Sequence, residues 1–259
     1  MPIQEWTEDT QSGMSISIIE GIESAVTNDE TRVSLFTGDT TNGFVYRRIF
    51  DISENKVAKV GEQRMVNRHY GSVSALCHVE ASNYVVSGNT TGKIYVNDHD
   101  NGRCTQTIDV GRGIIIGSII SCPFSPNLFA VGCCNPKNKL LIYDNRLRIN
   151  KGKPSLTLKD AGSVIKTKYN RPAWDAETGL ICLPVRKYAD GTDAAAINIW
   201  DPRFVKCSTA SNLMLTNRKK DVFSVDFTHS MEGRNRAMIT ASEDSIRFAR
   251  ISINKHLQF

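Results

Sequence analysis

The sequence lacks the features that would place the chain in a membrane or a secretory pathway. Its longest apolar stretch, Ile114 to Ile120, is interrupted by Gly117 and Ser118 and is far shorter than the roughly 20 residues that span a bilayer. The first residues, Met1 to Asp9, contain neither the basic segment nor the apolar segment of a signal peptide. We therefore expect an intracellular protein, located in the cytoplasm, the nucleus or both.

The sequence also lacks metal-binding patterns. Its cysteines lie in apolar runs without Cys-x-x-Cys spacing, which indicates reduced thiols in packing positions. Its histidines are scattered singly, so we expect surface or packing roles for them and no metal or cofactor. The residues are Cys77, Cys104, Cys122, Cys133, Cys134, Cys182 and Cys207, with His69, His78, His99, His229 and His256.

Motifs of common catalytic sites are missing as well. We find no Gly-x-Ser-x-Gly elbow, no Gly-Lys-Ser or Gly-Lys-Thr phosphate loop and no His-Glu-x-x-His zinc pair. The carboxylates concentrate in predicted turns, where Asp and Asn side chains accept hydrogen bonds from nearby backbone amides. The sequence therefore predicts a protein that is not an enzyme.

The charge balance gives no strong indication of a nucleic-acid partner. The net charge of +5 comes from 32 basic and 27 acidic side chains, a small excess unless it gathers on one face. Alternation along strands favours dispersal of the basic groups, but their convergence would create a rim that attracts phosphates or acidic peptides. The groups are Arg47-Arg48, Lys166 with Lys168 and Arg171, and the two that would form the basic rim, Arg186-Lys187 and Arg218-Lys219-Lys220.

What the sequence does contain is a repeat of strand-like units. Each unit has a strand-like run, a glycine turn and a second run that in the clearest copies closes on an aromatic-Asp pair. Successive closing positions are 46 to 57 residues apart, a spacing typical of propeller blades. These positions are Asp51, Asp98, Asp144, Asp201 and Arg250. We therefore predict an all-β propeller or solenoid, a class that mostly binds other macromolecules.

Each unit divides into short strands. In the first unit, the run from Thr31 to Gly38 and the run from Phe44 to Phe50 flank Asn42-Gly43, a dipeptide that favours a type I′ hairpin turn. The later units contain three or four such runs, and no long helical period competes with them.

Two stretches of the sequence resemble the WD-repeat family. The first runs from Tyr84-Val85-Val86-Ser87-Gly88 to Asn97-Asp98 and is preceded by His69-Tyr70-Gly71-Ser72-Val73; the second is Ile197 to Asp201. The resemblance covers roughly residues 15 to 253. It implies a WD-repeat β-propeller with about five recognisable blades. The blades would close as a compact five-bladed ring, form a ring with further degenerate strands, or be an incomplete part of a longer propeller. Residues 1–14 would form an N-terminal segment whose Ile3 to Trp6 latches the last blade, and residues 15–259 would form the propeller.

The same resemblance implies a bracing hydrogen-bond network within a blade. Family blades often join a His, a Ser or Thr, an Asp and a Trp. Here the second unit keeps His69 and Ser87, with Thr91 in the Asp position and Asn97 in the Trp position. Because no unit has all four residues, we expect weakly braced blades.

Two successive units end in an aromatic-Asp-x-Arg sequence. This ending resembles that of WD-repeat substrate receptors of cullin-4 ubiquitin ligases, in which the arginine helps contact the adaptor. The resemblance implies a protein-interaction site and a non-enzymatic scaffold function, with other proteins as partners. Alternatively, the Asp of each ending only braces its own turn. For the protein as a whole, the alternative function is that of a nucleic-acid or chromatin-associated propeller. The residues of the site would be Tyr143, Asp144, Arg146, Trp200, Asp201 and Arg203.

Overall fold

The computed structural model places five small antiparallel sheets one after another along the chain. Twenty strands form these sheets within the part of the chain that is described. The described residues are 16–27, 30–39, 41–53, 56–79, 82–134, 139–147, 153–159, 163–164, 171–189, 192–202, 211–214, 222–228, 236–242 and 245–251.

The first two sheets each have four strands in sequence order. The first sheet contains β1 (Ile16–Thr27), β2 (Glu30–Asp39), β3 (Val45–Ser53) and β4 (Lys56–Arg64). The second contains β5 (Val73–Val79), β6 (Tyr84–Asn89), β7 (Lys93–Asp98) and β8 (Cys104–Asp109). The sequence pattern had indicated only the middle pair, β2 and β3, in the first sheet.

The third and fifth sheets follow the same meander, whereas in the fourth sheet β13 and β14 both pair with β15. The third contains β9 (Ile115–Ser121), β10 (Leu128–Cys134), β11 (Lys139–Asp144) and β12 (Leu156–Lys159). The fourth contains β13 (Ser163–Val164), β14 (Ala173–Trp174), β15 (Ile181–Ala189), β16 (Thr192–Trp200) and β17 (Ser211–Met214). The fifth contains β18 (Val222–Phe227), β19 (Arg236–Ser242) and β20 (Ile246–Ile251).

The middle strands of the second and third sheets are buried on both faces. Five of the six residues of β6 and four of the six of β7 are buried. A strand that alternates its side chains can be buried throughout only if neighbouring layers cover both faces of its sheet. The sheets therefore stack face to face, and β-branched residues fill both sides.

Each junction between consecutive sheets has its own apolar core. Phe36 and Val85 meet between the first and second sheets, Ile94 and Phe129 between the second and third, and residues such as Ile142 and Trp200 between the third and fourth. A smaller core with Ile197 and Val225 joins the fourth sheet to the fifth. This arrangement is that of a propeller with about five blades, so the predicted fold class is confirmed.

The predicted type I′ turn at Asn42-Gly43 is wrong. That turn needs positive φ at both residues, whereas Gly43 has a φ of +73° and Asn42 is not among the described residues with positive φ. The loop is longer because the buried Asp39 carboxylate accepts hydrogen bonds from the amides of Thr41 and Asn42. An Asp side chain can close a turn in this way without a left-handed Asn.

Candidate protein-interaction faces

The sheets present two opposite ends, which carry different chemistry. At one end lie the turns 41–44 and 90–92, which join second to third strands, and the loops 67–72 and 110–114, which join sheets. We call this end the turn face. The other end carries loops 99–103, 122–127, 145–147 and 175–180. We call it the pocket face. Residues 65 and 66 reach the loop 99–103, where the Val66 amide donates to the Gly102 carbonyl oxygen at 2.9 Å.

A buried hydrogen bond braces the turn face of the second sheet. The Nε2 atom of His69 lies 2.8 Å from Ser87 Oγ, and the His69 ring lies 4.4 Å from the Tyr95 ring. Burial lowers the pKa of His69 from 6.5 to about 4, because the charged imidazolium would lose its hydration. His69 is therefore neutral at pH 7, and the geometry agrees with the pairing that the WD-repeat resemblance implied.

The remaining two predicted members of that brace are placed differently. Asn89, rather than Thr91, is the centre of the turn: its Oδ1 accepts from the amides of Thr91 and Lys93, and its Nδ2 donates to Tyr70 O and Thr91 Oγ1. Asn97 occupies the expected Trp position, but Tyr95 supplies the ring against His69. Among the described residues, Asn97 Oδ1 has no hydrogen-bond partner.

Two glycines let each turn of this face touch the loop that leads to the next sheet. A Cβ at Gly43 would overlap the carbonyl oxygen of His69, and one at Gly92 would overlap that of Gly111. Both glycines also have positive φ. Only glycine satisfies both conditions without strain, so the backbones of turn and loop are in direct contact.

The basic pair Arg47-Arg48 is dispersed, as alternation predicted. Arg47 donates from Nε to Ser34 Oγ, while Arg48 is 1% exposed and forms an ion pair with Glu62 at 3.1 Å. Arg186 and Lys187 occupy successive positions of β15, paired in register with Ala195 and Ala194 of β16. Arg218, Lys219 and Lys220 lie outside the described residues.

The pocket face carries the predicted aromatic-Asp-x-Arg endings. At the end of β11, Asp144 Oδ1 accepts from the amide and Nε of Arg146 at 3.0 Å, and its Oδ2 accepts from Nη2 at 2.7 Å. These bonds hold the pKa of Asp144 below its usual range and raise that of Arg146. The Arg146 side chain remains 64% exposed, so Asp144 holds its guanidinium group at the surface.

The aromatic members of the endings lie in the core. Tyr143 is fully buried and stacks on Phe129 with ring centroids 5.6 Å apart. Trp200 is 3% exposed and packs in the core between the third and fourth sheets. Both predicted interaction residues therefore position the turns and cannot touch a partner directly. Asp201 is half-buried, and Arg203 lies outside the described residues.

An apolar pocket of about 430 Å³ opens on the pocket face between the third and fourth sheets. It lies beside both endings, because Ile142 is two residues before Asp144 on the same side of β11 and Pro202 follows Asp201. Trp174 forms one wall, and its Nε1 donates to Gly179 O. The lining consists of Cys122, Phe124, Ser125, Leu128, Ile142, Ser155, Leu156, Trp174, Glu177, Thr178, Gly179 and Pro202.

Sequence reasoning missed this pocket and a group of histidines. His78 and His99 are not isolated: their rings lie 5.1 Å apart and both contact Phe36 at the junction of the first and second sheets. The sequence gives no local sign of such contacts. The hydrophobic pattern of a strand shows which side chains are buried, but it does not show which side chains of the neighbouring sheet they contact.

The described part of the chain contains no group of three His, Cys, Asp or Glu side chains arranged to hold a metal ion. Within the same residues, no helix has the length and apolar character to cross a membrane. No disulfide bond joins the described cysteines; Cys77, Cys122, Cys133 and Cys182 are buried, whereas Cys104 and Cys134 are half-buried.

Comparison with known proteins supports the fold alone. No protein-family model matches the sequence, and no curated protein matches it. A chain in the crystal structure of the mitotic checkpoint complex is similar in structure, with a TM-score of 0.60 and 16% sequence identity. The match covers 92% of this chain and 64% of that one, so this chain spans less than two thirds of the length of its structural relative.

Proposed function

We propose that the protein is a non-enzymatic scaffold that binds a partner protein at the pocket between the third and fourth sheets. The observation that carries the proposal is the apolar pocket of about 430 Å³ at the end of two neighbouring blades. Such a volume can enclose an anchoring aromatic or leucine side chain with part of its neighbour.

The surroundings favour a protein segment over an isolated small molecule. Phe124, at the pocket, is 52% exposed, and Leu147 on the same face is 58% exposed. Exposed apolar side chains around a pocket extend the contact area beyond the cavity, as expected for a protein interface.

The test compares Phe124→Asp with a matched control, Val57→Asp. Phe124 and Val57 are 52% and 56% exposed, but Val57 lies on β4, away from the pocket. Proteins captured from a cell extract by the wild type and the Val57 variant should be lost with the Phe124 variant. An identical partner set for all three proteins would contradict the docking role of the pocket.

At a finer level, we propose that Arg146 and Arg203 contact the adaptor of a cullin-4 ubiquitin ligase. The support is the resemblance of the two endings and the position of Arg146, whose guanidinium is held at the surface by Asp144. Planar guanidinium groups bind carboxylate and carbonyl groups at interfaces.

The adaptor proposal is tested with Arg146→Ala combined with Arg203→Ala. The control pair is Arg103→Ala with Arg112→Ala, both of which are exposed. We expect the adaptor to co-purify with the wild type and the control but not with the double variant. Absence of the adaptor from the wild-type sample would exclude the ligase role and leave the scaffold function intact.

A further inference from the structure

The turn face carries a second surface, whose chemistry differs from that of the pocket. Phe44 follows the turn 41–43, Arg64 ends β4, and Arg68 lies in the loop before the second sheet. The Cζ atoms of Arg64 and Arg68 lie 4.6 Å and 5.5 Å from the centre of the Phe44 ring. The two Cζ atoms are therefore at most about 10 Å apart, the sum of these distances.

The protein itself holds the two arginines beside this ring. Arg68 donates from Nε to the carbonyl oxygen of Asn42 at 2.6 Å, and Arg64 is paired in register with Tyr46 of β3. Contact between a guanidinium and an aromatic ring is favourable, and it restricts a side chain that would otherwise move freely. Both side chains remain exposed, so their outer donors face the solvent.

The charge of this pair is not neutralised within the described part of the chain. Arg32, Arg48 and Arg146 each form an ion pair with a carboxylate there, whereas Arg64 and Arg68 form none. Asp39 is the carboxylate of the adjacent turn, but it accepts hydrogen bonds from Thr41, Asn42 and the Asn42 side chain. Two neighbouring cations beside an aromatic ring are therefore available to an anion.

We propose that Arg64, Phe44 and Arg68 bind a phosphorylated side chain of a partner protein. A phosphorylated residue carries a charge near −2, which matches the two guanidinium groups, whereas a single carboxylate would neutralise only one. The planar guanidinium fork also matches the geometry of phosphate oxygens. Exposed Tyr70, at 80%, offers an apolar contact to the residues next to the phosphate.

A nucleic-acid strand fits this site less well. Such a strand has one phosphate per nucleotide, so it needs a track of cations along its path. The residues adjoining the pair on this face, Asn42 and Tyr70, carry no charge at pH 7, and the same is true of Thr90 and Thr91 in the next turn. Lys93 and Arg112 lie at the next turn and its neighbouring loop, whereas Arg64 and Arg68 share one aromatic ring, which places two cations together for a single dianion.

The experiment measures binding of the full chain to immobilised random peptides with a central phosphoserine. Matched pools carry serine or glutamate at the centre, and a single-stranded RNA oligonucleotide serves as the competing ligand. The variants are Arg64→Gln with Arg68→Gln, a conservative pair with lysine at both positions, and a control pair, Arg112→Gln with Arg247→Gln. The control removes the same charge from exposed positions, one in the loop after the second sheet and one on β20.

We expect the wild type and the control pair to retain the phosphoserine pool and not the serine pool. The glutamine pair should bind at least about tenfold more weakly, because charge-assisted hydrogen bonds are lost, and the lysine pair should be intermediate. Equal loss in the control pair, equal retention of the serine pool, or tighter binding of RNA at the same arginines would overturn the proposal. The pocket is untouched by these variants, so the result is independent of the proposed docking function.

Discussion

The two ends of the propeller differ in how their loops are joined. On the turn face, Gly43 and Gly92 bring turn backbones against the neighbouring loops, and Asp39 and Asn89 hold the turns from inside. On the pocket face, the loops of the third and fourth sheets leave a space of about 430 Å³ between them. At the turn face the first two sheets are joined by backbone contacts, whereas at the pocket face the third and fourth sheets leave apolar side chains for a partner to cover.

The comparison indicates a division of roles within one fold. Backbone contacts at the turn face fix the spacing of consecutive sheets, so substitutions of Gly43, Gly92 or the side chains that hold these turns should mainly reduce stability. Side chains around the pocket contribute little to that spacing, so substitutions there should mainly reduce binding.

The largest effect is expected for Gly92→Ala. The added Cβ would overlap the Gly111 carbonyl and the φ of +88° is unfavourable for alanine, so the free energy of unfolding should fall by about 3 kcal/mol or more. Gly113→Ala is the control, because Gly113 has a φ of +75° but has open space around it, and it should cost only about 1 kcal/mol. Urea unfolding midpoints measure both. Equal losses would show that the contact with Gly111 is unimportant.

A second test compares two side chains that hold turns, one on the turn face and one on the pocket face. Asn89→Ala removes four hydrogen bonds from a fully buried site and should lower the free energy of unfolding by about 2–3 kcal/mol. Asp98→Ala on the pocket face removes bonds to the amides of Asp100 and Asn101 at a half-buried site, and should cost about 1 kcal/mol. Thermal or urea unfolding gives both values. The reverse order would contradict the division between the two ends.

Between pH 7 and pH 5, the stability of the protein should depend on the protonation of His69, which lies at the turn face. The pKa of His69 is about 4 in the folded protein and about 6.5 in the unfolded chain, so the unfolded chain takes up the proton first as the pH falls. The His69 contribution should therefore lower the free energy of unfolding by about 2 kcal/mol over this interval. Asp144 on the pocket face has a lowered pKa, so its contribution is lost only at more acidic pH.

The control for the pH experiment is His69→Gln, whose stability should change less over the same interval. Urea midpoints at pH 7 and pH 5 supply the comparison. Identical pH dependence in the variant and the wild type would mean that other groups cause the effect.

The smallest effect on stability is expected for Ser155→Trp. Ser155 is exposed and lines the pocket, so an indole there should fill the space and change the free energy of unfolding by less than about 0.5 kcal/mol. Partner capture should nevertheless be lost, as in the Phe124→Asp variant. A stable Ser155→Trp protein that still captures its partners would show that they bind elsewhere.

Sequence reasoning predicted the features that depend on neighbouring residues. The strand repeat, the closing Asp residues and the pairing of His69 with Ser87 all have signals in the printed sequence, and the fold class follows from the repeat. The type I′ turn was wrong because the Asp39 side chain, a neighbour outside the dipeptide, selects a longer loop.

Features that join distant segments could not be predicted in the same way. Phe124 and Pro202 line one pocket although they are far apart in the chain, and Arg64 meets Phe44 only because β3 and β4 are paired. Hydrophobic periodicity shows that a side chain is buried, but it does not show which surface covers it.

Partner binding at the pocket is tested most directly by a photo-crosslinking experiment with p-benzoylphenylalanine at position 124 in the full chain. The same amino acid at position 57, which is similarly exposed on β4, provides the control. We predict that irradiation in cell extract links position 124, but not position 57, to a partner protein, and that Ser155→Trp abolishes the crosslink. Crosslinks of equal yield at both positions, or a crosslink at position 124 that persists with Ser155→Trp, would contradict the claim that the pocket binds a partner.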